Sequence, residues 1–116
     1  MPSSRDYPRA LRVNEVLRQV VAEELERLAD ADERLRLVTV TSVDTRSDLR
    51  TAVVYLGTLD ENAAEALEER RTQVQRAVAG QIRMKRTPRL QFAADPATMA
   101  GRRVEEILIR LRRERG

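Results

Sequence analysis

The sequence has 116 residues, 41% apolar and 35% charged, which suffices for one domain with a modest hydrophobic core and a highly charged surface. Histidine and cysteine are both absent, so the imidazole base, the thiol nucleophile and their metal-ligating roles are excluded. Because an enzyme would then depend on carboxylates, hydroxyls, arginines and the one lysine, Lys85, we expect a protein that is not an enzyme. The chain also lacks an apolar run of roughly 20 residues and the apolar stretch of a secretory signal, which is compatible with a cytoplasmic protein.

The first half of the chain predicts a helix followed by a β-hairpin. The helix runs from Pro8 to about residue 29, with Asp6 as its candidate N-cap. Its apolar stripe consists of Val13, Leu17, Val20, Val21, Leu25 and Leu28. Two β-branched, alternating segments follow, residues 37–45 and 51–58. The short turn at Ser47-Asp48 predicts that these segments pair as antiparallel strands.

The next region predicts a helix that bends. It begins at residues 60–62 and runs to about residue 84, and its apolar positions are Ala63, Leu67, Val74, Ala77, Val78 and Ile82. Arg70 and Arg71 occupy the turn of this stripe that should face the core. We therefore expect either two helical segments joined near residues 69–73, or arginines that extend outward along their stems.

A third strand and a final helix complete the predicted order. Residues 89–94 follow Thr87-Pro88 as a strand, since the residue before a proline favours extended geometry. The final helix begins near Asp95-Pro96 and carries the stripe Val104, Ile107, Leu108 and Leu111. The order α-β-β-α-α-β-α, without repeats or linkers, predicts one α+β domain over residues 1–116, with residues 1–7 and 113–116 frayed.

The basic residues are segregated along the chain. Residues 1–69 hold 9 Arg and 15 Asp or Glu. Residues 70–94 hold no acidic residue, and their basic residues are Arg70, Arg71, Arg76, Arg83, Lys85, Arg86 and Arg89. Arg76 and Arg83 share a helix face opposite Val74 and Val78. We therefore predict a continuous positive strip on one surface, which is the usual footprint of a protein that binds a polyanion.

Two observations decide how that strip is interpreted. A charge run is often only a solvated helix face, but solvated helices generally interleave the two signs, and this one does not. The four glycines do not form the Gly-x-x-Gly clamp of a conventional KH domain, and the only aromatic residues are Tyr7, Tyr55 and Phe92. These features favour recognition of folded RNA through phosphates and 2′-hydroxyls over base-by-base reading of single strands.

Several segments, in order, resemble the ribosome-binding factor A family. The matching residues are Arg9, Arg12-Val13, Asp32-Glu33-Arg34-Leu35, Val38-Thr39-Val40-Thr41, Ser47-Asp48-Leu49, Ala52-Val53-Val54-Tyr55, Thr87-Pro88-Arg89-Leu90-Gln91-Phe92, Asp95, Gly101 and Arg103. The resemblance implies a type II KH-like fold, with a three-stranded sheet packed against helices. It also implies a factor that binds 16S rRNA in the immature 30S subunit, acts in the cytoplasm, contributes to cold adaptation, and has no cofactor or catalytic residue.

The chain departs from the family pattern at two positions. The family usually bends its central helix pair at Ala-x-Gly, where this chain has Arg70-Arg71-Thr72. Because Thr72 lacks glycine's freedom of φ, three expectations stay open: a shallower kink, a shifted kink, or a kink made by the charged pair. Arg89 stands where the family commonly has an acidic or polar residue, which adds positive charge beside Lys85 and Arg86.

We therefore expect an RNA-binding ribosome assembly factor whose contacts are the seven basic residues of 70–94. Arg9 and Arg12 are expected as auxiliary phosphate contacts, although Arg12 could instead pair with Glu15. The expected partners are 16S rRNA and the 30S subunit, bound by a monomer that uses no metal, cofactor or small-molecule substrate. The alternative is a protein-interaction module that uses the exposed sheet face or the C-terminal helix.

Overall fold

The first and longest helix forms one wall of the core. The computed structural model describes residues 6–82, 86–97 and 109–114, with the backbone alone for residues 6–10. Helix α1 (Asp6–Ala29) begins two residues before its predicted start, so Asp6 belongs to the helix and does not precede it. Leu17 and Val21 have no exposed surface, so the predicted apolar stripe does face the core. No helix of the described residues combines the length and apolarity needed to cross a membrane.

The predicted hairpin is present, with shorter strands than the sequence pattern indicated. Strands β1 (Thr39–Thr45) and β2 (Thr51–Gly57) pair antiparallel, with a bulge between Val40 and Ser42. β1 begins two residues later than predicted because a 3₁₀ turn (Glu33–Leu35) precedes it, and the Val38 N–H bonds the Leu35 carbonyl at 3.3 Å. β2 ends before Thr58, whose φ of 53° places it in the left-handed region.

Two helical segments are present in place of a single long helix, which confirms one of the two expectations. Helix α2 (Glu61–Glu69) is capped by Asp60, whose Oδ1 accepts from the Ala63 N–H at 2.8 Å. Helix α3 (Arg71–Gln81) begins after a break at Arg70, which has φ −102° and ψ 8°, and it ends three residues before the predicted limit. Because no glycine is at the break, the bend does not depend on glycine's conformational freedom.

The third strand gives the sheet its topology. Strand β3 (Arg89–Ala94) has its predicted bounds and pairs parallel with β2, so the strand order is β1-β2-β3. The Arg89 N–H donates to the Arg50 carbonyl at 2.8 Å. This parallel register brings the tip of the β1–β2 hairpin beside the start of β3, at the same end of the sheet.

One face of the sheet packs against the helices. Leu67, Val74 and Val78 from the helices and Val54 and Leu90 from the sheet are fully buried. Of the two strand aromatics, Phe92 is a core residue and Tyr55 is only partly buried. Helical residues 109–114 follow, and their Leu111 packs against the core. The predicted stripe residues Val104, Ile107 and Leu108 lie outside the described residues, as does Gly101. The α+β class is confirmed.

Candidate nucleic-acid interface

Helix α3 separates apolar and basic side chains onto opposite faces. Val74 and Val78 have no exposed surface, whereas Arg76 is exposed. This is the arrangement expected from the sequence, since residues two apart on a helix point in nearly opposite directions. Arg83, the second arginine predicted on this face, lies outside the described residues.

A groove lies between α3 and β3, next to the outer face of α3. Its volume is about 450 Å³. The residues that line it are Arg71, Thr72, Gln75, Arg76, Ala79, Thr87 and Arg89. We call this cavity the α3–β3 groove. Among the described residues that line it, three are cationic and none is acidic, so an anion would meet donors and no carboxylate of this part of the chain.

Gln75 holds the β3 side of the groove in place. Its side-chain nitrogen donates to the Pro88 carbonyl at 2.8 Å, and its oxygen accepts from the Leu90 N–H at 3.0 Å. Pro88 and Leu90 flank Arg89, so the two bonds fix the backbone on both sides of this arginine. Because β3 is an edge strand, these bonds also satisfy backbone groups that β2 cannot reach.

Arg71 forms the partly buried end of the groove. Its guanidinium donates to the Leu90 carbonyl and lies 4.0 Å from a Glu68 carboxylate oxygen. Burial lowers the pKa of the Arg71 guanidinium, and the nearby charges of Arg89 and Arg112 lower the pKa further, while Glu68 opposes them. The lowered pKa therefore reflects mainly the burial of this guanidinium, with Arg89 and Arg112 as its neighbouring cations.

Arg70 does not join the groove, which corrects its assignment to the positive strip. Its Nε donates to Asp32 Oδ2 at 3.0 Å, and its guanidinium also bonds Gln73. Asp32 further accepts from Arg34, which in turn bonds Glu69 at 2.6 Å. Asp32 belongs to the acidic first half of the sequence and lies far from Arg70 along the chain. The side chain of Arg70 is thus committed to a carboxylate at the α2–α3 break.

Of the remaining residues predicted to contact RNA, two are exposed and two have side chains outside the described part of the chain. Arg86 is exposed and Arg12 has an exposed side chain, whereas Lys85 and the side chain of Arg9 lie outside the described residues. The expected alternative pairing of Arg12 with Glu15 is wrong. Glu15 bonds Arg18 at 2.6 Å instead, and this hydrogen bond lowers the pKa of the Glu15 carboxyl.

Two exposed arginines at the hairpin tip were missed at the sequence level. Arg46 and Arg50 flank the turn, and the Arg50 N–H bonds Asp48 Oδ1 at 2.9 Å, which confirms the predicted local role of this turn. Both arginines lie in the acidic part of the chain, so counting charge by sequence block hid them. The parallel pairing of β2 with β3 places Arg50 next to Arg89, and no sequence signal predicts that pairing.

Comparisons with known proteins agree on one family. The family model for ribosome-binding factor A matches residues 9–108. The ribosome-binding factor A of Halorhodospira halophila is 37% identical over 111 residues, which cover 90% of this chain and 87% of the relative.

Solved structures give the same result. The crystal structure of ribosome-binding factor A from Thermus thermophilus is 32% identical with a TM-score of 0.69, covering 77% of this chain and 98% of that one. A homology model of the Thermus thermophilus protein, fitted into a cryo-EM map of a complex of 30S with the factor, is 34% identical with a TM-score of 0.62. It covers 72% of this chain and 92% of the fitted chain. Fold, sequence and the positions of the matched motifs thus place this chain in the ribosome-binding factor A family.

Proposed function

We propose that the protein is a non-catalytic ribosome assembly factor that binds 16S rRNA in the immature 30S subunit through the α3–β3 groove. The observation that carries this proposal is the convergence of Arg71, Arg76 and Arg89 on one cavity whose lining, as far as the chain is described, includes no acidic residue. The fitted 30S complex of the Thermus thermophilus relative supports the same partner for this chain.

The chemistry of the groove suits RNA phosphates. Guanidinium forks bond phosphate oxygens in pairs, and such charge-assisted bonds are stronger than neutral ones. Thr72 and Thr87 line the same groove, and threonine hydroxyls are groups that bond phosphates or 2′-hydroxyls. These contacts fix position and orientation on a folded RNA without reading its bases.

Within the described residues, Arg76 and Arg89 form no ion pair with a carboxylate of the chain itself. The described arginines that do form ion pairs include Arg18, Arg27, Arg34, Arg70 and Arg71. Binding a phosphate at Arg76 or Arg89 therefore breaks no existing salt bridge there. This lowers the cost of association compared with an arginine that must first leave a carboxylate.

Neutralising the groove tests the proposal. The double variant Arg76→Gln/Arg89→Gln is expected to bind purified 30S subunits at least about tenfold more weakly, since a hydrogen bond to a charged group contributes about 1.5–3 kcal/mol. Binding is measured by co-sedimentation, and circular dichroism confirms that the variant is folded. The matched control is Arg27→Gln/Arg36→Gln, which removes the same charge elsewhere and should bind like the unmodified protein.

The alternative, a protein-interaction module, predicts a different result. An interface made by the sheet face or the C-terminal helix would leave the affinity of the groove variant unchanged. Equal binding by the groove variant, the control and the unmodified protein would therefore refute the groove as the contact surface.

A further inference from the structure

We infer that the RNA-binding surface continues from the α3–β3 groove over the tip of the β1–β2 hairpin, where Arg46 and Arg50 bind a further stretch of RNA backbone. The inference rests on the proposed function and extends it to residues outside the groove. It assigns a role to two arginines that belong to the acidic half of the sequence.

The sheet topology places the three arginines in a row. The Arg89 N–H bonds the Arg50 carbonyl at 2.8 Å, and the Arg46 N–H bonds the Thr51 carbonyl at 2.8 Å. Arg46, Arg50 and Arg89 are therefore at the same end of three neighbouring strands. Two strand spacings, about 10 Å, separate the backbones of Arg46 and Arg89. A nucleic-acid backbone carries a charge every few ångströms, so it can contact all three side chains along one path.

The hairpin tip holds its arginines on an ordered backbone. The Leu49 N–H bonds the Arg46 carbonyl at 2.9 Å and closes the turn, while Asp48 Oδ1 accepts the Arg50 N–H. Leu49 itself has a φ of 60°, the left-handed geometry that ends this kind of turn. Because the loop is already closed by its own bonds, binding RNA would order little more than the two arginine side chains.

Arg46 and Arg50 differ from several other arginines of the first half of the chain, because those arginines form ion pairs. Arg18, Arg27 and Arg34 bond carboxylates. Within the described residues neither Arg46 nor Arg50 has such a bond, and both are exposed. Asp48 is the single acidic residue of the segment 46–50, so the tip has a net positive charge that adds to that of Arg89.

The test compares the salt dependence of binding to purified 30S subunits. Each phosphate that the protein no longer neutralises should reduce the slope of log K against log salt by about 0.7–0.9, so Arg46→Gln/Arg50→Gln should lower it by about 1.4–1.8. Arg27→Gln/Arg36→Gln, with the same change of charge, should keep the slope of the unmodified protein. Arg46→Lys/Arg50→Lys should restore most of it, because lysine keeps the charge.

The outcomes separate this inference from the proposed function. If the groove variant loses affinity while the hairpin variant keeps the slope and affinity of the control, the hairpin is not a contact and the groove still is. If the lysine variant reduces the slope as fully as the glutamine variant, charge is not what the tip contributes. If the unmodified protein fails to bind 30S subunits, both proposals fall together.

Discussion

Asp32 is the residue that ties the α2–α3 break to the rest of the fold. Its carboxylate accepts from the side chains of Arg34 and Arg70 and from the Arg34 backbone N–H. The hydrogen bonds from Arg34 and then Arg70 hold the pKa of the Asp32 carboxyl well below its usual range, although desolvation opposes them. A carboxylate that is bonded in this way stabilises the folded state only while it is ionised.

The pairing of Asp32 predicts that the free energy of unfolding falls in acid, and that Asp32→Asn weakens this fall. Because the folded pKa of Asp32 is depressed, its contribution is fully present above the unfolded value of about 3.9 and is lost as pH falls further. Asp32→Asn should lower the free energy of unfolding at pH 7 and weaken its decline below about pH 4, as measured by urea titration across pH. Glu15→Gln, which breaks an exposed pair with Arg18, should change both much less. A pH profile for Asp32→Asn parallel to that of the unmodified protein would contradict this role.

The adjacent Arg70 and Arg71 have different partners, which the local sequence does not predict. The sequence showed that Arg70 and Arg71 interrupt an apolar stripe and so predicted the break itself. It did not distinguish the two side chains, because their partners lie far along the chain: Asp32 for Arg70 and the Leu90 carbonyl for Arg71. Tertiary contacts determine that Arg70 bonds a carboxylate and that Arg71 faces the groove. A local sequence pattern does not contain those contacts.

Two glycines, Gly57 and Gly80, differ in the space that is available for an added Cβ. Gly80 lies in α3, and a Cβ there would meet nothing within 4 Å. Gly57 ends β2, and its Cβ would lie 3.0 Å from Thr39 Oγ1 and 3.3 Å from Thr41 Cγ2. Thr41 is held by its hydroxyl bond to the Tyr55 carbonyl, so it cannot move away without breaking that bond.

The two positions predict opposite responses to alanine. Gly80→Ala should raise the free energy of unfolding by about 0.5 kcal/mol, the lower end of the range for glycine in a helix, because Gly80 lies in the last turn of α3. Gly57→Ala should lower it by about 1 kcal/mol through crowding against the bulged strand. Chemical denaturation of both variants measures the difference. A Gly57→Ala variant as stable as Gly80→Ala would show that the bulge has room to adjust.

Most elements could be predicted, and the pairing of the third strand could not. Residues 89–94 form a strand with its predicted bounds, and the hairpin followed from two alternating segments around a short turn. Strand β1 does not include residues 37 and 38 because the 3₁₀ turn uses the Val38 N–H. The parallel pairing of β3 with β2 joins residues about 40 apart, and this pairing is what brings Arg50 to Arg89.

At the scale of the whole molecule, the segregation of charge along the sequence becomes a segregation in space. The α3–β3 groove is lined by arginines. A second cavity, of about 460 Å³, lies between α1 and the segment that precedes β1. Its charged lining residues are Glu26, Asp30, Glu33 and Arg36. A molecule with separate basic and acidic regions orients itself in the field of a polyanion before contact. In the proposed function, the basic surface therefore faces the RNA first.

The salt dependence of binding to purified 30S subunits tests this account most directly. If the groove and the hairpin tip contact phosphates, the affinity of the unmodified protein should fall as salt rises, with a slope of log K against log salt of magnitude at least about 2.8. This corresponds to about four phosphates neutralised, by Arg76 and Arg89 of the groove and by Arg46 and Arg50 of the hairpin tip. A slope below about 0.5 would contradict the account, because an interface that hardly responds to salt is not made by arginines on an RNA backbone.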